Sequence, residues 1–257
     1  MGQTVNNHKL ALAYFGIPRS IGYTLASIEA NVLSALPASV QVKKFAVFSR
    51  EVALAHPETG ETTELNPDDA TKLTPDYLKQ IEPWGHDQQT LFERIQGFGD
   101  AWQNSFYSTK NLIKQLSTLK QVTARLLEEG YSNCLFLRPD LRYLDSMRPI
   151  YHHLESGSTT PICVLPKWGS AGGVNDLFGL CIGVRAVSAY GQRFDQVLDY
   201  CQSQNKPLHA ERLLKFALTK AHVRIKASGI RALRVRADGS TADQDFRADW
   251  LRRLLGN

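Results

Sequence analysis

Side chains able to do chemistry gather in this sequence where apolar runs end. In "NCLFLRPDLRYLD" (133–145) a short apolar stretch delivers Asp140 between Arg138 and Arg142. A carboxylate there suits a hard divalent cation, which would also need phosphate oxygens and a second protein ligand. Two arginines suit a diphosphate without metal, or they simply pair with Asp140. "GIPRS" (16–20) offers Gly16, Arg19, the Ser20 hydroxyl and the N–H groups of a helix start, all fitted to an anion. "GGVND" places Asn175 and Asp176 in a glycine-rich loop, and "PLHAE" places His209 and Glu211 at a helix start. A carboxylate so placed can take a proton from a hydroxyl. Glu211 would equally serve as an ordinary first-turn acid.

Those positions need elements to hold them. "KLALAYFG" (9–16) reads as a buried strand. Ile21, Leu25, Ile28, Val32, Leu33 and Leu36 then mark one face of a helix stopped by Pro37, and "VQVKKFAVFS" is a second strand, which completes a βαβ unit. Residues 56–90 are polar and proline-rich. They are expected to run over the surface with a short helix near Tyr77 to Ile81, as a variable loop, an acceptor-binding segment or a lid. Leucines and other aliphatics from Leu112 to Leu127 mark a long amphipathic helix closed by Gly130. Strands at 133–137 and 161–166, a glycine-rich loop entering a further strand, and two more helices continue the alternation.

Alternation of this kind argues for an α/β domain with a mainly parallel sheet flanked by helices, in a chain long enough for one large domain or two small ones. Ligands of such sheets sit outside the carboxyl ends of the strands. Near the end, "HVRIKASGIRALRVRADG" reads as a hairpin around Ser228-Gly229, with Arg224, Lys226, Arg234 and Arg236 exposed. The tail, 238–257, carries Phe246, Trp250, Leu251, Leu254 and Leu255 beside arginines. That pattern is a short amphipathic helix, which docks on the protein or lies on a membrane surface.

With 257 residues, 43% apolar and 9% aromatic, the chain can bury a sizeable core, which excludes wholesale disorder. Its net charge of +5 suits an anionic substrate or an acidic membrane surface. No dense Lys/Arg run is present, so nucleic acid is not an expected partner. Cys134, Cys163, Cys181 and Cys201 form no CxxC pair and read as buried reduced thiols of a cytosolic protein. No run approaches the roughly 18–20 apolar residues of a membrane span. The start, "MGQTVNNHK", has neither a signal-peptide core nor a myristoylation pattern. A cytoplasmic protein is expected, with peripheral contact at the inner face of the membrane open through the last helix.

In order, "ALAYFGIPRSIGYTLASIEANVL", "LFLRPDLRYLD", "GGVNDLFGL", "AYGQRF" and "PLHAERLLKFAL" resemble a family of bacterial and large-virus glycosyltransferases of surface-polysaccharide synthesis. The resemblance covers about residues 9–237. It implies a glycosyltransferase-A-like fold as a single α/β domain over residues 1–257, a nucleotide-diphosphate-sugar donor and a glycan or lipid-linked acceptor. That fold usually ends its metal-site strand in Asp-x-Asp; here, and in the family's usual pattern, Arg138-Pro139-Asp140 stands there. Leu177 replaces the arginine of the commoner "GVNDRFA" form. Implied roles follow. Gly16, Arg19, Ser20, Arg138, Asp140, Arg142 and Asn175 would hold the donor. Asp140, with His209, would hold Mn²⁺ or Mg²⁺, and Glu211, ranked before Asp176, would be the base. "GIPRS" also resembles the "GxPRSGTT" phosphosulfate loop of sulfotransferases, with Ile21 in place of the following glycine. A sulfotransferase and a non-catalytic glycosyltransferase-like partner protein are the alternatives.

Overall fold

The structure, a computed structural model, describes residues 9–56, 61–155 and 160–247. Its frame is a seven-stranded sheet built on β1 (Lys9–Gly16), β2 (Gln41–Ser49), β5 (Tyr77–Ile81), β6 (Asn133–Leu137), β8 (Ile162–Pro166), β9 (Phe178–Ile182) and β10 (Arg224–Ser228). The order across the sheet is β10-β8-β9-β6-β1-β2-β5. Only β9 runs against its neighbours β6 and β8; every other pairing is parallel. This is the mainly parallel, helix-flanked α/β fold expected.

Strand residues alternate between the two faces, and both faces are covered. From β1, Ala11, Ala13 and Phe15 join a core with α3 (Tyr107–Glu128), α5 (Val184–Gly191) and α7 (Ala210–Lys220). Leu10, Leu12 and Tyr14 join the opposite core with α1 (Ile21–Ile28) and α4 (Arg148–Glu155). Burial on both sides is why β1, β6 and β9 read as unbroken apolar runs. The four cysteines are buried and unbridged.

Two expectations are corrected. Tyr77–Ile81 is no helix: it forms the edge strand β5, paired in parallel with β2 from Phe45↔Tyr77 to Ser49↔Ile81. Pro75 and Pro83 leave too short a span for a stable helix, while the open edge of β2 offers a full ladder of hydrogen bonds. Elsewhere in 56–90, β4 (Glu61–Glu64) forms a small antiparallel ribbon with β3 (Ala53–His56) at the segment's start, a 3₁₀ turn spans Pro67–Leu73, and a helix, His86–Ile95, begins at its end.

The second correction concerns the hairpin. Both strands form around Ser228-Gly229, yet they do not pair with each other. β10 pairs in parallel with β8, and β11 (Ala232–Arg234) pairs antiparallel with β7 (Leu141–Tyr143). The turn is tied elsewhere, with Lys167 N donating to Ser228 O at 2.9 Å and Trp168 Nε1 to Ile230 O at 2.8 Å. The chain therefore steps across the sheet and delivers Arg234 to the ends of the strands. In the tail, Phe246 packs edge-on to Trp168 at 5.1 Å, and the stripe from Trp250 onward lies outside the described residues, as does the start Met1 to His8. Among the described residues no helix is long and apolar enough to cross a membrane.

Candidate active site

Because β9 is reversed, its amino end opens on the same edge as the carboxyl ends of β1, β2, β6 and β8. The loop 167–177 therefore lands beside "GIPRS" and "RPD". Together they enclose a cavity of about 380 Å³ lined by Gly16, Arg19, Arg138, Asp140, Asp176, His209 and Glu211 among others. Seven of the sequence-nominated residues thus meet in one place. α3 and α7 also begin at this cavity, through Tyr107 and Ala210, and their amino ends add partial positive charge.

Gly16 ends β1 at φ +102°, a conformation that suits glycine, and its N–H donates to Thr118 Oγ1 at 2.9 Å. This turns the chain so that Arg19 faces inward. Asp140 is buried, 2% exposed, and both of its oxygens are engaged. Arg138 Nε donates to Oδ1 at 2.9 Å and Arg138 Nη2 to Oδ2 at 2.6 Å. Arg19 donates from Nε and Nη2 to the same Oδ2 at 3.2 and 3.1 Å. Arg234 Nε lies 3.9 Å from that oxygen. Burial alone would raise the Asp140 carboxyl, but Arg138 and Arg19 outweigh it and hold it well below the usual carboxylate range. Arg138 is fixed further by Gln115, whose Oε1 accepts from Nη1 at 2.9 Å.

This donor set does not fit a divalent cation. A metal at Asp140 would find both oxygens already bound by guanidinium groups and three positive charges around it. His209, the expected second ligand, is used differently: its ring stacks on Trp102 at 5.1 Å and 13°. Its Nδ1 is 3.0 Å from Glu211 Oε2, close but not aligned as a hydrogen bond. Among the described residues no group of three or more His, Cys, Asp or Glu could hold a metal ion.

Asp176 is buried at the cavity wall, where Arg193 Nη2 donates to its Oδ2 at 3.3 Å. Burial, followed by the negative charge of Glu211, pushes the Asp176 carboxyl up, against the pull of Arg193, Arg138 and Arg234. Glu211 is more accessible and is set by tight backbone packing. A Cβ on Gly173 would lie 2.1 Å from the Glu211 carbonyl carbon, and Val174 N donates to Glu211 O at 3.1 Å. Arg212 Nε donates to Ala171 O at 3.3 Å. The loop and the start of α7 are thus one unit.

Three nominated residues fall outside the main cavity. The Ser20 hydroxyl donates to Val235 O at 2.8 Å, which tethers "GIPRS" to the segment after β11. Arg142 sits on β7, opposite Leu233. Asn175 is spent inside its own loop, with Nδ2 donating to Trp168 O at 2.8 Å and Oδ1 accepting from Leu177 N at 2.9 Å. Sequence reasoning missed Arg234, Gln115 and Trp102. The loop presenting Trp102 is organised by Asp100, which accepts from the N–H groups of Trp102, Asn104 and Phe106 at 3.1, 2.8 and 2.8 Å. Asp100 followed by polar Gln103, Asn104 and Ser105 is the turn signal that could have marked that loop.

No protein-family model and no curated protein matches this chain. Among solved structures, the apo form of mouse xyloside xylosyltransferase 1 is similar over 86% of this chain and 84% of that chain, at 11% identity and a TM-score of 0.44.

Proposed function

We propose that this protein is a glycosyltransferase that moves a sugar from a nucleotide-diphosphate donor to a hydroxyl of a glycan or lipid-linked acceptor in surface-polysaccharide synthesis. One observation carries the reading: Arg19, Arg138 and Arg234 converge on the single buried carboxylate of Asp140, in the same cavity as the carboxylate of Glu211. Sugar transfer needs the charge that develops on the leaving diphosphate to be stabilised. Three guanidinium groups, spaced and oriented by Asp140, are suited to that by their charge and planar fork geometry. Glu211 then takes the proton of the acceptor hydroxyl as its oxygen attacks the anomeric carbon and the diphosphate departs. Trp102, stacked on His209, offers an aromatic wall for a sugar or base. A sulfonucleotide reading would draw on the Ser20 hydroxyl, which is committed to Val235.

Thermal shift and donor hydrolysis with UDP-, GDP- and dTDP-sugars test this, each in EDTA and again with Mn²⁺ or Mg²⁺. At least one donor should raise Tm and release free sugar, and EDTA should leave its binding in place. If no donor does either under any condition, the reading is wrong.

A further inference from the structure

Behind the wall formed by Ala171, Leu177, Glu211 and Arg234 lies a second cavity of about 490 Å³ that shares those four residues with the first. Its own lining includes Trp168, Asn175, Ala242 and Gln244. We infer that this cavity receives the acceptor as a neutral saccharide whose free hydroxyl points at Glu211, an assignment that rests on the reading above.

The two cavities differ in charge. The first holds Arg19, Arg138 and Arg234 and suits a diphosphate. Among the described residues the second has Arg234 and Glu211 as its only full charges, both in the shared wall; the rest of that lining is amide, backbone and apolar surface. An uncharged lining of a glutamine, backbone groups and apolar side chains suits a hydroxyl-rich ring better than an anion. The volume is within the range of small-ligand sites, about 300–1,000 Å³.

A transfer between two substrates requires that they meet at the base from different sides. Glu211 is the carboxylate that lines both cavities, whereas Asp176 lines only the first. The wall is also rigid, because Gly173 packs directly on the Glu211 backbone and Arg212 Nε holds Ala171 O. Both substrates would therefore approach a carboxylate whose position neither has to rearrange.

Saturation-transfer NMR with p-nitrophenyl glucoside, galactoside, mannoside and xyloside, in the presence of UDP, tests the assignment on the full chain. At least one glycoside should bind the wild type, UDP should not displace it, and Ala242→Trp should weaken it about tenfold or more. Gln244→Phe serves as the second variant, and a retained UDP signal reports that each variant is folded. The inference is overturned if no glycoside binds, if UDP displaces the glycoside, or if both folded variants bind it as the wild type does. Failure of UDP and of every sugar nucleotide to bind would sink the glycosyltransferase reading instead. Loss of glycoside binding in Ala242→Trp would still place a saccharide here.

Discussion

Arg138 grips Asp140 with two parallel bonds, Nε to Oδ1 at 2.9 Å and Nη2 to Oδ2 at 2.6 Å. The pair is separated by one proline, so the turn itself presents the carboxylate to its own neighbour. Arg19 and Arg234 then approach the remaining face of Oδ2. Asp140 thereby acts as the fixed anion around which a cationic floor is assembled. On the function proposed above, such a site is poised for a phosphate ligand before that ligand arrives, since the mutual repulsion of the arginines is already offset.

Asp140→Asn should therefore cost stability and donor affinity together. Removing one partner of a buried ion pair costs about 3–5 kcal/mol, here with three guanidinium groups left facing a neutral amide. Denaturant unfolding measures the loss, and its pH dependence has a defined sign. Asp140 titrates well below its unfolded value of about 3.9. Its contribution is present above that value and is lost as pH falls beneath it. The gap between wild type and Asp140→Asn should be full at pH 6 and shrink below about pH 4. A gap unchanged down to pH 3 would remove Asp140 from the centre of the cluster.

Arg234→Ala should separate binding from folding. Its side chain is 46% exposed, so little packing is lost. A charge-assisted hydrogen bond to phosphate is worth about 1.5–3 kcal/mol, which is about 10- to 100-fold in donor affinity. Calorimetric titration with the nucleotide diphosphate should show that loss with Tm nearly unchanged, and Arg234→Lys should recover part of it.

Arg234 also illustrates what the sequence leaves open. Periodicity locates β1, β2, β6, α3 and α7 because each is set by its own apolar pattern, and the strand-end rule places "GIPRS", "RPD" and "GGVND" at one edge. What local pattern does not carry is partner choice. Arg224–Ser228 and Ala232–Arg234 each read as strands, and a turn between them suggests mutual pairing. Competition from the free edges of β8 and β7 decides otherwise, and only that outcome brings Arg234 to Asp140. The same holds for Tyr77–Ile81, where the edge of β2 overrides a weak helical pattern. Arg142, adjacent to the cluster in sequence, is carried away because β7 turns it to a different partner.

Gly173→Ala should disturb the proposed base, Glu211, without touching a ligand. The added methyl would meet Glu211 backbone at 2.1 Å, so the loop or the start of α7 must move. Overpacking of this kind costs about 1–3 kcal/mol, and displacement of a reacting group by about 1 Å can cost about 10²-fold in rate. Steady-state kinetics should show the fall mainly in kcat, with donor affinity close to wild type. A variant with wild-type kcat would mean that Glu211 is not held by this contact.

Glu211→Gln and Asp176→Asn together decide which carboxylate is the base. Glu211 is reachable from both cavities and has no arginine committed to it among the contacts described, so its amide variant should fold normally. Loss of a general base typically costs about 10²- to 10⁴-fold, and the fall should appear in transfer while donor binding persists. Asp176 is the counterion of Arg193, which is fully buried. Its replacement leaves that guanidinium without a charged partner, and the expected result is a lowered Tm, with any loss of rate following the loss of folded protein. A folded, stable Asp176→Asn that has lost transfer, beside an active Glu211→Gln, would reverse the assignment and place the proton with Asp176.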